Sequence, residues 1–201
     1  ISRILPAITY FVLSALILNY SLQVLNQLLK MKKLIIILIS VTMNSQSIDL
    51  INPKQNIGMQ NWSIVNDDVM GGVSKSNLSM NDKNNLIFSG YLSLENNGGF
   101  ASTRHRFKEQ TLAGVKSFKI KLKGDGNSYY LRIRQNNRRA SYSADFNSSK
   151  DKWTEVEILL EDFKPTWRGF TYSDYPAPDI EKISELGIQI SDKQEGDFKL
   201  E

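Results

Sequence analysis

The stretch Asn66-Asp67-Asp68-Val69-Met70-Gly71-Gly72-Val73-Ser74, just after Trp62, sets two adjacent carboxylates, an amide and a hydroxyl around a double glycine. Oxygens grouped in this way suit a hard cation such as calcium, or the backbone N–H groups of a tight turn. The spacing is not that of an EF-hand, whose acidic groups alternate. On a strand, Asp67 and Asp68 would face opposite sides, which unfits them as an acid/base pair. The expected role is a structural turn, with Gly71 and Gly72 supplying positive φ; the alternatives are a recognition surface and, last, a catalytic or metal site. A second stretch, Asn97-Gly98-Gly99-Phe100-Ala101-Ser102-Thr103-Arg104, joins glycines that permit close approach to a guanidinium fork suited to a carboxylate or phosphate. For Arg104 the expected partner is internal, Asp67 or Asp68, in an ion pair that would lock the two loops together.

Catalytic sets are hard to assemble from what remains. The chain has no cysteine and one histidine, His105, so thiolate chemistry, disulfides, Cys-ligated zinc and double-histidine metal motifs are excluded. His105 lies between Arg104 and Arg106, whose charge is expected to disfavour its protonated form on an ordinary strand. There is no Gly-x-Ser-x-Gly elbow, and Gly124-Asp125-Gly126 lacks the third glycine of a dinucleotide fingerprint. Asp67, Asp68 and Glu95 are conceivable glycosidase acids, a distant reading that only their separation decides. No catalytic residue, metal ligand or cofactor is therefore assigned. Among the aromatic residues most are expected in the core, while Trp167, Arg168, Tyr172 and Tyr175 fall in a turn-rich stretch and form a candidate exposed surface for a partner protein or a glycan.

The elements that must position these residues read as strands. Phe118-Lys119-Ile120-Lys121-Leu122-Lys123 alternates strictly, as on a half-buried antiparallel strand. Leu131 and Ile133 alternate with Arg132 and Arg134, and the intervening Gly124-Asp125-Gly126-Asn127 predicts a hairpin between the two runs. Further alternations at Tyr142 to Phe146, Val156 to Leu160 and Leu186 to Ile190, with turn signals between them, predict an all-β sandwich. Pro178 to Leu186 has room for a short turn or helix, and Phe198 to Glu201 reads as an edge strand that is very short or cut short.

Charge and hydropathy divide the chain. Of its 25 Lys and Arg residues only Arg3, Lys30, Lys32 and Lys33 precede Asp49, leaving 21 against 21 Asp and Glu in the body. A neutral body lacks the electrostatic footprint of generic nucleic-acid binding. Met31-Lys32-Lys33, the apolar Leu34 to Met43 and Ser45-Gln46-Ser47 follow the grammar of a secretory leader, which predicts export to a periplasm. The expected organisation is thus a hydrophobic segment over 1–30, a leader over 31–47, a linker over 48–61 and a sandwich domain over 62–201, truncated at its C-terminal edge. Residues 1–30 are expected to be untranslated upstream sequence; alternatively Ile4 to Leu29 forms a helix that tethers the domain to a membrane.

Trp62, the Asn66 to Ser74 stretch, Gly90, Gly98 to Arg104, Gly124-Asp125-Gly126, Phe163-Lys164-Pro165, Arg168-Gly169 and Leu186-Gly187-Ile188, in this order, resemble the complex I intermediate-associated protein 30 family, in a bacterial-type member. The resemblance spans Trp62 to the C-terminus. It implies a galactose-binding-like jelly-roll β-sandwich and a non-catalytic, chaperone-like role in assembling NADH:ubiquinone oxidoreductase, with respiratory subunits or envelope proteins as partners. It carries over no catalytic residue; Trp62, Asn66, Asp67, Asp68, Gly71, Gly72, Ser74, Gly98, Gly99 and Arg104 enter as motif positions of binding or structural role. The alternative is an exported carbohydrate- or small-ligand-binding module on the same fold.

Overall fold

The computed structural model describes residues 18–33, 47–52, 55, 57 and 59–201. The chain divides into two units, Ile1–Gln46 and Ser47–Glu201. In the first, residues 18–33 form a helix with exposed side chains, and no helix among the described residues is long and apolar enough to cross a membrane. The apolar stretch before residue 18 and that of the expected leader, within 34–46, lie outside the described residues.

The second unit is built from strands β1 (Trp62–Asn66), β2 (Lys75–Met80), β3 (Leu86–Leu92), β4 (Ala101–Arg106), β5 (Ser117–Lys123), β6 (Ser128–Gln135), β7 (Ser141–Asn147), β8 (Trp153–Leu159), β9 (Lys164–Trp167), β10 (Phe170–Thr171), β11 (Ile183–Ile190) and β12 (Gly196–Leu200). One sheet runs β1-β4-β11-β6-β7-β9-β10; the others are β12-β3-β2 and β5-β8. All strand pairs are antiparallel. The two small sheets are joined where Lys123 and Glu201 exchange backbone hydrogen bonds of 2.8 and 2.9 Å. At that one pair the end of β5 meets the residue after β12, and side chains of both small sheets pack with those of the seven-stranded sheet in one core.

Alternation in the sequence becomes the two faces of that larger sheet. Across β11, Leu186 and Ile188 stand opposite Ile133 and Leu131 of β6, and Ile133 and Leu131 stand opposite Tyr142 and Ala144 of β7. These inward residues meet Phe88, Leu92, Leu122, Ile158, Phe198 and Leu200 in one core, where each large apolar side chain taken from water contributes about 1.5–3 kcal/mol. The intervening residues of the same strands, Arg132, Arg134, Glu185, Gly187 and Gln189, fall on the outer face.

The predicted hairpin of the Phe118 and Leu131 runs does not form. β5 pairs with β8, while β6 pairs with β7 and β11 in the opposite layer. Asp125 explains the crossing: its carboxylate accepts the backbone N–H groups of Asn127 and Lys199 at 2.9 and 2.7 Å and the Tyr129 hydroxyl at 2.9 Å. The turn is tied to β12 rather than closed on itself. Trp153, expected in the core, is 46% exposed, and Lys121 and Lys123 lie over its ring. The Pro178 to Leu186 segment holds a one-turn 3-10 helix, Ile180–Lys182, and then enters β11.

Candidate functional site

The Asn66 to Ser74 stretch leaves β1 as a 3-10 helix, Asp67–Met70, which ends on Gly71 at φ 92°. This geometry, not a strand, sends the two neighbouring carboxylates apart: Asp67 is fully buried and Asp68 is exposed. Asp67 accepts four hydrogen bonds, from the Ser74 hydroxyl (2.5 Å) and backbone N–H (3.0 Å) and from the N–H groups of Gly99 (2.6 Å) and Phe100 (3.3 Å). Burial by itself raises its pKa, but these donors outweigh it and hold the carboxyl below its ordinary range. A cation would have to displace protein donors to reach these oxygens.

The glycines of the two motifs are explained by the same carboxylate. A Cβ on Gly72 would lie 2.4 Å from the Asp67 Cγ, and one on Gly98 would lie 2.6 Å from Oδ2. Gly72 therefore serves close approach and not, as expected, a positive φ. Nearby, Asn66 accepts the Ser76 hydroxyl at 2.6 Å, and Trp62 packs on His105 with ring centroids 5.1 Å apart. The outcome is a braced loop whose apolar tip faces water: Val69 is 68% and Met70 is 62% exposed.

Arg104 is not the partner of Asp67 or Asp68. It projects from the outer face of the large sheet, where its guanidinium lies 3.8 Å from Glu185, while Arg106 holds the same carboxylate at 3.0 Å. Asp67 points into the opposite surroundings, saturated by N–H and O–H donors. His105 also departs from expectation. Its pKa is lowered by burial against Trp62 and Phe107, opposed by a hydrogen bond with the Gln60 backbone, and flanking arginine charge is not the cause. As a strand residue it was correctly placed.

A cleft of about 150 Å³ opens on this outer face. Its walls carry Arg104, Arg132, Arg134, Arg139 and Arg168, with Glu185, Ser141, Gln189 and Trp167. At its floor β11 presents Gly187, directly opposite Arg104 of β4 on one side and Arg132 of β6 on the other. With strands about 4.8 Å apart, the two arginine backbones stand roughly 10 Å from each other with no side chain between them. A Cβ at Gly187 would come 2.3 Å from the Thr103 carbonyl oxygen. Arg132 donates to Gln189 and to the Ser141 hydroxyl, and burial together with the neighbouring Arg104 pushes its pKa down to about 10. Burial is also the main cause that lowers Arg104, with Arg134 and Arg106 adding to it against Glu185.

Two of the four residues expected on an exposed surface, Trp167 and Arg168, line this cleft. They flank and open the β9–β10 hairpin, whose central residues Arg168 and Gly169 have φ of 50° and 80°, the signature of a type I′ turn. The guanidinium of Arg139 lies 3.9 Å from the Trp167 ring centroid and that of Arg168 lies 4.7 Å from it. Tyr172 is exposed, but Tyr175 is not a free surface: its ring packs on Tyr142 and its hydroxyl accepts the Ala140 N–H. Sequence reasoning missed Arg132, Arg134, Arg139, Glu185, Gly187 and Gln189. The outward half of the Leu131/Ile133 alternation was the available signal for the first two, and the mid-strand glycine of Leu186-Gly187-Ile188 for the floor.

Comparison with known proteins is consistent with this architecture. An uncharacterized protein of Schizosaccharomyces pombe is 30% identical over 174 residues, covering 75% of this chain and 79% of that protein. Among solved structures, the family 11 carbohydrate-binding module of a cellulosomal cellulase of Clostridium thermocellum aligns with a TM-score of 0.55 at 14% identity, over 72% of this chain and 86% of that one. A family 11 module of the same organism, in complex with a β-1,3-1,4-mixed-linked tetrasaccharide, gives 0.54 at 13% identity, over 72% and 87%. At such identities the likeness establishes the jelly-roll sandwich alone. The model of the Complex I intermediate-associated protein 30 family matches residues 51–201, a stretch that contains both the Asp67 clamp and the arginine cleft, and the chain belongs to that family.

Proposed function

We propose that this domain is a non-catalytic protein-interaction module that assists assembly, a reading supported by its membership of a family named for association with complex I intermediates, with a respiratory-complex subunit or an envelope protein as partner. The observation that carries the reading is the Asp67 clamp. It fixes a loop whose most prominent side chains, Val69 and Met70, are apolar and exposed. A rigid apolar anchor loses little entropy on docking and suits the centre of an interface. The absence of an assigned catalytic set agrees with the engagement of Asp67 by four donors and with the burial of His105 among aromatic rings.

The test is affinity capture from native membranes with wild-type protein and with Val69→Ser/Met70→Ser, followed by quantification of NADH:ubiquinone oxidoreductase and envelope subunits. Enrichment by the wild type and loss in the variant supports the reading. Equal recovery by both, or none above background, ends it. The Met31-Lys32-Lys33 leader carries a proposal of its own, export to the periplasm; sequencing the mature N-terminus after cell fractionation tests it, and an uncleaved chain facing the cytoplasm would instead favour a membrane tether.

A second reading, an exported carbohydrate-binding module, is favoured by the likeness to the two family 11 modules. It predicts saturable glycan binding that is lost in Trp167→Ala or Tyr172→Ala. Against it, two guanidinium groups already lie over the Trp167 ring that a sugar would stack on.

A further inference from the structure

The cleft on the outer sheet face is unbalanced in charge. Five guanidinium groups line it and one carboxylate answers them. That carboxylate, Glu185, is already held by Arg104 and by Arg106. Arg132, the deepest of the five, has only neutral partners, Gln189 and Ser141, and it forms no ion pair among the described residues. Glu185 acts on it only through space, so a half-buried cation hydrogen-bonded to neutral groups alone gains from an anion of its own.

The directions of approach narrow the anion. Arg104 and Arg132 come from strands on opposite sides of Gly187, Arg134 from the next outward position of β6, Arg139 from the β6–β7 connection and Arg168 from the tip of the β9–β10 turn. A planar carboxylate is filled by one or two parallel N–H pairs from a single fork. A tetrahedral dianion carries acceptor oxygens in several directions and two charges, so it can be met by forks that converge from separate strands. The bare backbone at Gly187 leaves room at the floor for one such group, and the cleft of about 150 Å³ has space for a phosphate.

We propose that the Arg104–Gly187–Arg132 cleft is a binding site for the phosphate group of a small soluble phosphate ester, with Arg134, Arg139 and Arg168 adding positive charge around it. This site is separate from the Val69–Met70 tip and does not depend on the protein-interaction reading.

The experiment is calorimetric titration of the full chain, at fixed ionic strength, with inorganic phosphate, glucose 6-phosphate and glucose. Saturable binding of the two phosphates and none of glucose is expected. Arg104→Gln and Arg134→Gln should each weaken phosphate binding about ten-fold or more, the loss expected for a charge-assisted hydrogen bond. Arg132→Gln should do the same if its melting temperature shows that it folds, and Lys119→Gln, on the other layer, should leave binding unchanged. Equal binding of glucose and glucose 6-phosphate, affinity that follows chloride as readily as phosphate, or indifference to Arg104→Gln and Arg134→Gln would overturn the site. Binding to phosphatidic acid in phosphatidylcholine vesicles without binding to either soluble phosphate would overturn the assignment to a small ligand.

Discussion

Ser74 donates its hydroxyl to the Asp67 carboxylate at 2.5 Å, and the same oxygen accepts the backbone N–H of Ser93 at 3.0 Å. One side chain thus ties the loop after β1 to the end of β3. Asp67→Asn keeps an acceptor oxygen but turns an N–H group toward the donors of Ser74, Gly99 or Phe100. Its expected effect is a loss of about 2–3 kcal/mol, the range for hydrogen bonds to a charged group in a buried site. Urea denaturation at neutral pH measures it, and an unchanged midpoint would mean that the clamp contributes nothing to folding.

The pH dependence follows from the direction of the Asp67 shift. Its folded pKa lies below the ordinary aspartate value of 3.8, so the stability it contributes is complete above the unfolded pKa and is lost as pH falls through the folded one. The window is therefore below about pH 4. Wild-type protein should lose stability steeply there, and Asp67→Asn should show a flatter acid limb. Parallel limbs in the two proteins would contradict the assignment.

Because the chain has a single histidine, its imidazole proton resonance is unambiguous. Burial keeps His105 neutral to lower pH than the ordinary 6.5. Its titration midpoint in the folded protein should fall below that value, and stability should begin to drop as the unfolded chain takes up a proton from about pH 6.5 downward. A midpoint at or above 6.5 would show that the ring reaches solvent.

Gly187→Ala pushes a methyl group onto the Thr103 carbonyl at 2.3 Å, a backbone atom that cannot rotate away. A destabilisation of about 2 kcal/mol or more is expected from such overpacking. Thermal melting checks it, and a neutral effect would mean that β4 and β11 separate more easily than their register implies.

Arg168 occupies the first position of a type I′ turn at φ 50°. Asparagine enters that region more readily, so Arg168→Asn should raise stability by about 0.5 kcal/mol. A lower melting temperature would show that the stack of Arg168 on Trp167 outweighs the backbone strain.

Strand identity was legible because alternation is local: Phe118 to Lys123 and Leu131 to Arg134 are strands where the pattern put them. Strand partners were not, because the Gly124 to Asn127 turn looks like a hairpin until Asp125 meets Lys199, 74 positions later. The family motif was legible as a unit, and Asp67, Gly72, Ser74, Gly98 and Gly99 do converge. The partner of Arg104 was not, since Glu185 comes from a strand about eighty positions onward and carries no local sign of that pairing.

Strand β12 pairs along β3 and meets only the end of β5, although it follows both of them, and nine other strands, in the chain. During synthesis the edge of β3 that β12 covers therefore emerges early and stays open until β12 arrives. Nascent chains halted before Gly196 would leave that edge of β3 open, a template for intermolecular pairing. Only a chain that has delivered β12 can hide it.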